Sequence, residues 1–325
     1  MATISAVTPS DIMDKTKMKY LLDSCNRNGI DLDVIGIGKR FSWLERMKWF
    51  KEYLETSKSD IICFTDGYDV FYLDNLNTIK DKFLSFECDI VWSAEKAYTH
   101  QLEEDKSFFD NLHTKHFGYI YLNGGTYIGY RIALLKLFTD IIDGSLNDPV
   151  FLNELNIRFY NDSMRGLDQT WISHHLSKFW NNYKIKLDIE CKIFYLPCND
   201  WHTIDDFIDT NMKVLATGQT PSIIHVCCKS EFEHILEQLY SWKYKDTFYD
   251  FLVDKRYTWA NDTIRFLKDG KMEAFGKGVY SYIDAHTVKA IFGWHSIHTI
   301  TFNNDYSEYL SVRLNDGDTV RGNLI

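Results

Sequence analysis

The sequence predicts an α/β protein: a mostly parallel sheet flanked by helices, followed by a small all-β unit. Three observations carry that expectation. Short apolar runs alternate with segments of helical periodicity up to about residue 253. One of those runs, Ile61 to Phe64 in "DIICFTD", is unbroken, as in a strand buried on both faces. Beyond residue 255 the texture becomes period-two alternation, as in "HSIHTITF" and "YLSVRL", punctuated by the turn signals "FNND" and "LNDGD".

Each element follows in order. Residues 2–8 read as a first strand. "SDIMDKTKMKYLLDSCNRNG" reads as a helix with Ser10 or Asp11 as cap and Gly29 as stop. "IDLDVIGIG" is a second strand, "FSWLERMKWFKEYLETS" a second helix and "DIICFTD" a third strand. A helix near 76–86 precedes the strand "CDIVWSAE". "YIYLNGGTYIGY", 119–130, reads as one or two strands around a Gly-Gly turn, with a helix at 131–143 behind it. "GLDQTWISHHLSKFW", 166–180, is another helix, and "TPSIIHVCCKS", 220–230, a late strand. Helical pattern then runs to about 253, which divides the chain into domains over 1–254 and 255–325.

The composition narrows the function. An apolar content of 45% and a charged content of 25% are those of a soluble globular protein. The net charge of −10 argues against a nucleic-acid partner, because phosphate binding needs a basic face. An acidic chain can still hold a phosphorylated ligand through a metal ion. The seven cysteines are odd in number and form no CxxC pair, which predicts free thiols and a reducing, intracellular compartment. The N-terminus has no signal-peptide pattern, and no apolar run approaches the ~20 residues of a membrane span.

The chemistry is concentrated in "IICFTDGYDVFYLDN". A buried strand ends there on two carboxylates, Asp66 and Asp69. Ligands bind at the carboxyl ends of parallel strands, and two such anions repel unless a cation sits between them. Oxygen ligands select Mg²⁺ or Mn²⁺. His225, at the end of the run "SIIHVCC", completes a plausible triad and tilts the choice to Mn²⁺. Aspartates after strands also serve as turn formers and caps, and histidines near strands also sit in cores. Asp168 lies on the stripe of Ile172 and Leu176, so a carboxylate there faces inward or caps the helix. Gly124 and Gly125 permit a close backbone approach or a turn. Trp92, Tyr98, Trp171 and Trp201 are sugar platforms or core rings, and His174 and His175 read as ordinary helix residues.

"FTDGYDVFY", "SAE" at 93–95, "LNGGTYIG" at 122–129, "LDQTW" at 167–171 and "IIHVCC" stand in an order that resembles the glycosyltransferase domain of the procollagen lysyl hydroxylase family. The resemblance covers roughly residues 2–230 and lacks the hydroxylase domains, as in a stand-alone viral or microbial enzyme. It implies a GT-A fold over 1–254, Mn²⁺, and UDP-glucose or UDP-galactose as donor. Its acceptor would be hydroxylysine or galactosyl-hydroxylysine of a collagen-like protein. By the resemblance Asp66, Asp69 and His225 hold the metal, and Tyr68 stacks on the uracil. Asn123 and Gly124 lie beside the sugar, Asp168 lies near the acceptor, and Lys48 is a looser phosphate contact. Two departures concern the sugar and acceptor side: the acidic run is reduced to Asp168, and Cys227 stands where the family has asparagine.

Glycosyl transfer builds charge on the leaving oxygen, which a metal-bound diphosphate absorbs, and the incoming hydroxyl needs a base such as Asp168. Two rival readings are another metal-dependent phosphoryl-transfer enzyme and a non-catalytic sugar binder with a decayed enzyme domain. A nuclease would show a basic face or more clustered carboxylates, and the sequence shows neither. The tail, with Trp294, His295 and His298, is a carbohydrate-binding or dimerisation module or a structural cap, and a homodimer through it is one arrangement.

Overall fold

The computed structural model describes residues 2–98, 102–113, 117–153, 168–197, 208–209, 211–227, 236, 239–240, 243, 252–267, 270–274, 277–284, 286–292, 296–303 and 305–325. Trp201, Trp294, His295, Cys198, Cys228 and most of the helical pattern between 228 and 251 lie outside the described residues. The chain forms two compact units: residues 1–209 with 213–232, and residues 210–212 with 233–325. Among the described residues no helix is long and apolar enough to cross a membrane.

The first unit is built on a six-stranded sheet. Its strands are β1 (Ile4–Pro9), β2 (Leu32–Ile35), β3 (Ile61–Thr65), β5 (Ile90–Glu95), β6 (Tyr121–Tyr130) and β7 (Ile185–Leu187), in the order β2-β1-β3-β6-β5-β7. β1 runs parallel to β2 and β3, and β5 parallel to β7; β6 alone is antiparallel to both its neighbours. The sheet is thus mostly parallel, with one reversed strand near its centre. A second sheet of three short strands has the order β4 (Val70–Tyr72), β9 (Ile223–His225), β8 (Phe194–Tyr195).

Helices cover both faces of the large sheet: α1 (Lys19–Arg27), α2 (Trp43–Thr56), α3 (Leu76–Leu84), α4 (Glu103–Leu112), α5 (Arg131–Thr139) and α6 (Asp168–Phe179). Strand alternation shows why both faces need cover. Cys63 of β3 packs on one side with Leu21, Cys25 and Phe83. Its neighbour Phe64 turns to the other side, stacks 4.5 Å from Tyr127 and meets Phe50 of α2 edge-on at 4.8 Å. Each such ring stabilises the fold by about 1.5–3 kcal/mol when fully buried.

Local chemistry sets the helix ends. α2 starts on a serine cap: Ser42 accepts from the Glu45 amide at 3.1 Å. Asn75 caps α3 by accepting from the amides of Asn77 and Thr78. α1 does not begin at Ser10 or Asp11. The Ser10 hydroxyl donates to the Ile12 carbonyl instead, and Asp14 accepts from the amides of Thr16 and Lys17. These side-chain turns compete with the helix, which starts only at Lys19. Gly29 does follow its end, with a φ of +63°. The Gly-Gly segment is one continuous strand, β6, rather than two. The helix at 131–143 becomes α5 followed by a π-helical turn over Asp140–Gly144.

The second unit contains eight antiparallel strands, β10 (Arg256–Trp259), β11 (Asp262–Phe266), β12 (Lys271–Glu273), β13 (Lys277–Asp284), β14 (Thr287–Phe292), β15 (Ser296–Phe302), β16 (Glu308–Arg313) and β17 (Thr319–Asn323), each beside the next in sequence. Tyr257 bridges to Leu324 and the Ile325 amide donates to the Arg256 carbonyl, so first and last strands meet and the sheet nearly closes on itself. Its interior holds Tyr257, Trp259, Phe266, Phe302 and Tyr309.

Candidate metal and active site

The end of β3 becomes a site because β4 and β9 bring a histidine to it. Val70 pairs with His225 across these two strands, and the Val226 amide donates to the Asp69 carbonyl at 2.8 Å. The His225 Nε2 atom then lies 3.6 Å from Asp66 Oδ2 and 3.5 Å from Asp69 Oδ1. One ligand atom from each of the three residues falls within 4.8 Å of the others, a spacing that one cation can bridge. The two aspartates are half-buried and the ring is buried.

Gly125 explains how they converge. A Cβ there would stand 2.2 Å from His225 Cε1 and 2.6 Å from Asp66 Oδ2. Only glycine lets the imidazole and the carboxylate close over the strand. A borderline imidazole and two hard carboxylates, around space that a methyl group would fill, fit a divalent cation such as Mn²⁺.

The electrostatics agree. Burial raises the pKa of Asp66, and Asp69 adds to this against the pull of Arg46 and His225. Burial works against protonation of His225, yet the acceptors on Cys227 and Asp69 hold its pKa well above the ordinary imidazole value. A positive charge is favoured between these groups, and a metal ion is one way to supply it.

Arg46 is the residue that inspection of the motifs missed. It donates from Nη2 to Asp66 Oδ1, and its Nε lies 3.2 Å from Asp168 Oδ2. Its guanidinium also sits 5.1 Å from the Phe64 ring. Arg46, Phe50 and Leu54 are buried on one helical stripe of α2, so a cation on an apolar stripe was the available signal. Asp168 is buried in the first turn of α6, and burial pushes its pKa up to about 6 against the attraction of Arg46.

The Gly-Gly strand is locked by buried polar groups. The Gly124 amide donates to Gln169 Oε1 at 2.7 Å, and Gln169 Nε2 donates to Glu95 Oε1 at 2.9 Å. Asn123 Oδ1 accepts from the Gly125 amide at 2.9 Å, and the Asp66 amide donates to the Gly125 carbonyl at 2.8 Å. The segments "SAE", "LNGG", "LDQ", "DGYD" and "IIH" thus meet in one network.

The remaining candidates divide. Tyr68 is exposed, with its hydroxyl 3.1 Å from Ser10 Oγ and the Lys17 ammonium 5.9 Å from the centre of its ring. Lys48 pairs with Glu45 at 2.8 Å on the half-exposed side of α2, and no contact joins it to the acidic cluster among the described residues. Trp92 is buried against Tyr127 and donates to the Asn123 carbonyl, so it supports the site from beneath. Trp171 packs partly buried beside Leu102 and Phe151, and Tyr98 donates to the Leu102 carbonyl. His174 and His175 lie within α6 and are buried there: His174 meets buried Asp105 at 2.9 Å, and His175 lies between Ser145 and Tyr183.

A family described as "PLOD GT domain" matches residues 13–242. The chain is 28% identical over 202 residues to procollagen-lysine,2-oxoglutarate 5-dioxygenase of Drosophila melanogaster, a match covering 61% of this chain and 25% of that protein. It is 25% identical over 168 residues to procollagen-lysine,2-oxoglutarate 5-dioxygenase 2 of Mus musculus, covering 52% of this chain and 20% of the relative. The chain therefore spans a quarter or less of the length of these relatives. With its motifs joined around one metal-fitting cluster, the chain belongs to the PLOD GT domain family.

Proposed function

We propose that this protein is a Mn²⁺-dependent glycosyltransferase that moves a hexose from UDP-glucose or UDP-galactose to a hydroxyl of a collagen-like protein, hydroxylysine or galactosyl-hydroxylysine. The observation that carries the reading is the convergence of Asp66, Asp69 and His225 over Gly125. Those three residues would hold the ion. When bound, it supplies positive charge to a leaving diphosphate. The exposed Tyr68 ring, one residue from Gly67 in the same loop, is suited to stack on a uracil.

Asn123 and Gly124 line the strand beside the cluster, where Gln169 and Glu95 hold their backbone still. Rigid support of this kind is what positions a sugar for transfer. Asp168 is the proposed acceptor base. Arg46 fixes its carboxylate, and a pKa near 6 leaves it ionised at neutral pH yet basic enough to take a hydroxyl proton in the transition state.

The test is UDP release from a panel of UDP-sugars, with Mn²⁺ and with EDTA, by the wild type and by Asp66→Ala/Asp69→Ala. Metal-dependent release with one preferred sugar, lost in the double variant, is expected. Absence of both release and metal-dependent UDP binding would overturn the reading. Metal-dependent UDP binding without any turnover would favour a sugar-nucleotide binder instead.

A further inference from the structure

Two residues past the end of β9, the chain carries a thiol where the resembling family has an amide. Cys227 is half-buried two residues past His225, and the Val226 between them is buried. Cys227 Sγ lies 4.0 Å from His225 Nδ1, the ring nitrogen remote from the aspartates. It also lies 3.6 Å from Asn123 Nδ2 and 3.9 Å from the His225 carbonyl oxygen.

The proton arrangement follows from one fixed donor. The Gly125 amide can only donate, so the Asn123 atom that faces it is the carbonyl Oδ1, at 2.9 Å. The Asn123 amide nitrogen therefore points at sulfur and donates to it. The thiol hydrogen has its own acceptor in the His225 carbonyl. Sulfur can then accept from the His225 Nδ1–H as well, the proton the ring keeps when Nε2 is given to a metal. That tautomer leaves the Nε2 lone pair facing Asp66 Oδ2 and Asp69 Oδ1.

We infer that Cys227 is a positioning residue for the metal centre: its sulfur sets the tautomer and tilt of His225 and ties them, through Asn123, to the Gly125 strand. The inference rests on the metal site proposed above. Ligating histidines usually give their second N–H to a carboxylate, a carbonyl or water, and losing that partner typically weakens metal binding 10- to 100-fold. Sulfur is a weak acceptor and the contacts are long, so this protein should lie at the lower end of that range.

The test is Mn²⁺ affinity, read as free Mn²⁺ by electron paramagnetic resonance, in wild type, Cys227→Ala and Cys227→Ser without any nucleotide. One Mn²⁺ site in the wild type is expected, weakened about tenfold in Cys227→Ala and restored to within about threefold of wild type by the hydroxyl of Cys227→Ser. Thermal unfolding of the metal-free proteins checks that the alanine variant folds. Should it not fold, Cys227→Val, which fills the space without an acceptor, is read against Cys227→Ser. Equal affinity of the acceptor-free variant and the wild type overturns the role of Cys227 and leaves the glycosyltransferase reading standing. Failure of the wild type to bind Mn²⁺ sinks the metal site and this inference with it.

Discussion

Arg46 Nε lies 3.2 Å from Asp168 Oδ2, and both side chains are less than a tenth exposed. The same guanidinium donates to Asp66, so a single buried cation joins a proposed metal ligand to the proposed acceptor base. Breaking such a pair from one side strands a buried charge, whereas removing both partners does not. Arg46→Met should cost about 3–5 kcal/mol in urea unfolding of the metal-free protein. Arg46→Met/Asp168→Leu should regain only part of that loss, because Asp66 still lacks its guanidinium partner. Unchanged stability in the single variant would mean that solvent reaches Asp168.

Gly125 and Gly124 are neighbours with separable roles. An added Cβ at Gly125 collides with His225 and Asp66, but at Gly124 it meets Gln169 Cβ at 2.8 Å. Gly125→Ala should lower Mn²⁺ affinity by at least about a hundredfold, since two of three ligands must move. Gly124→Ala should act chiefly on the melting temperature. Mn²⁺ titration and calorimetry of the two variants decide between these outcomes.

His175 predicts a pH dependence of stability. Its Nδ1 is 2.6 Å from Ser145 Oγ and its Nε2 is 2.7 Å from the Tyr183 hydroxyl, which donates to Asp140. Burial lowers its pKa to about 4, against the pull of Asp140. The unfolded chain binds this proton from about pH 6.5 downward, while the folded chain refuses it until about pH 4. Stability should therefore fall as pH drops through that window, by up to about 3 kcal/mol from this group. His175→Gln should flatten that segment of a urea-midpoint-against-pH curve.

Asp188 holds the strand beside the metal-site histidine. Its carboxylate accepts from the amides of Lys192, Ile193 and Phe194 at 2.9, 2.7 and 2.8 Å. Phe194 opens β8, whose Tyr195 pairs with Ile224, the neighbour of His225 on β9. Asp188→Ala leaves three donors without this acceptor and should destabilise the protein by about 3 kcal/mol or more, at roughly 1–3 kcal/mol for each buried group. Asp188→Asn, which keeps one acceptor oxygen, should cost less in the same denaturation experiment.

The sequence by itself determined the alternation of strands and helices, the all-β tail, and the acidic end of β3. These are properties of neighbouring residues: apolar period, turn residues, and the two carboxylates of "DGYD" three apart. The motifs around Asn123 and Asp168 were also legible, through their likeness to a family. The tertiary structure alone decided which of these residues meet. Lys48 and Arg46 are equally basic in the sequence, but helix phase turns one to Glu45 and the other into the core. The pairing of Val70 with His225 and the reversed direction of β6 join residues far apart in the chain, as does the contact of Gln169 with Glu95. Such contacts depend on strand order and register, which are set by the packing of whole elements and leave little trace in any short stretch of sequence.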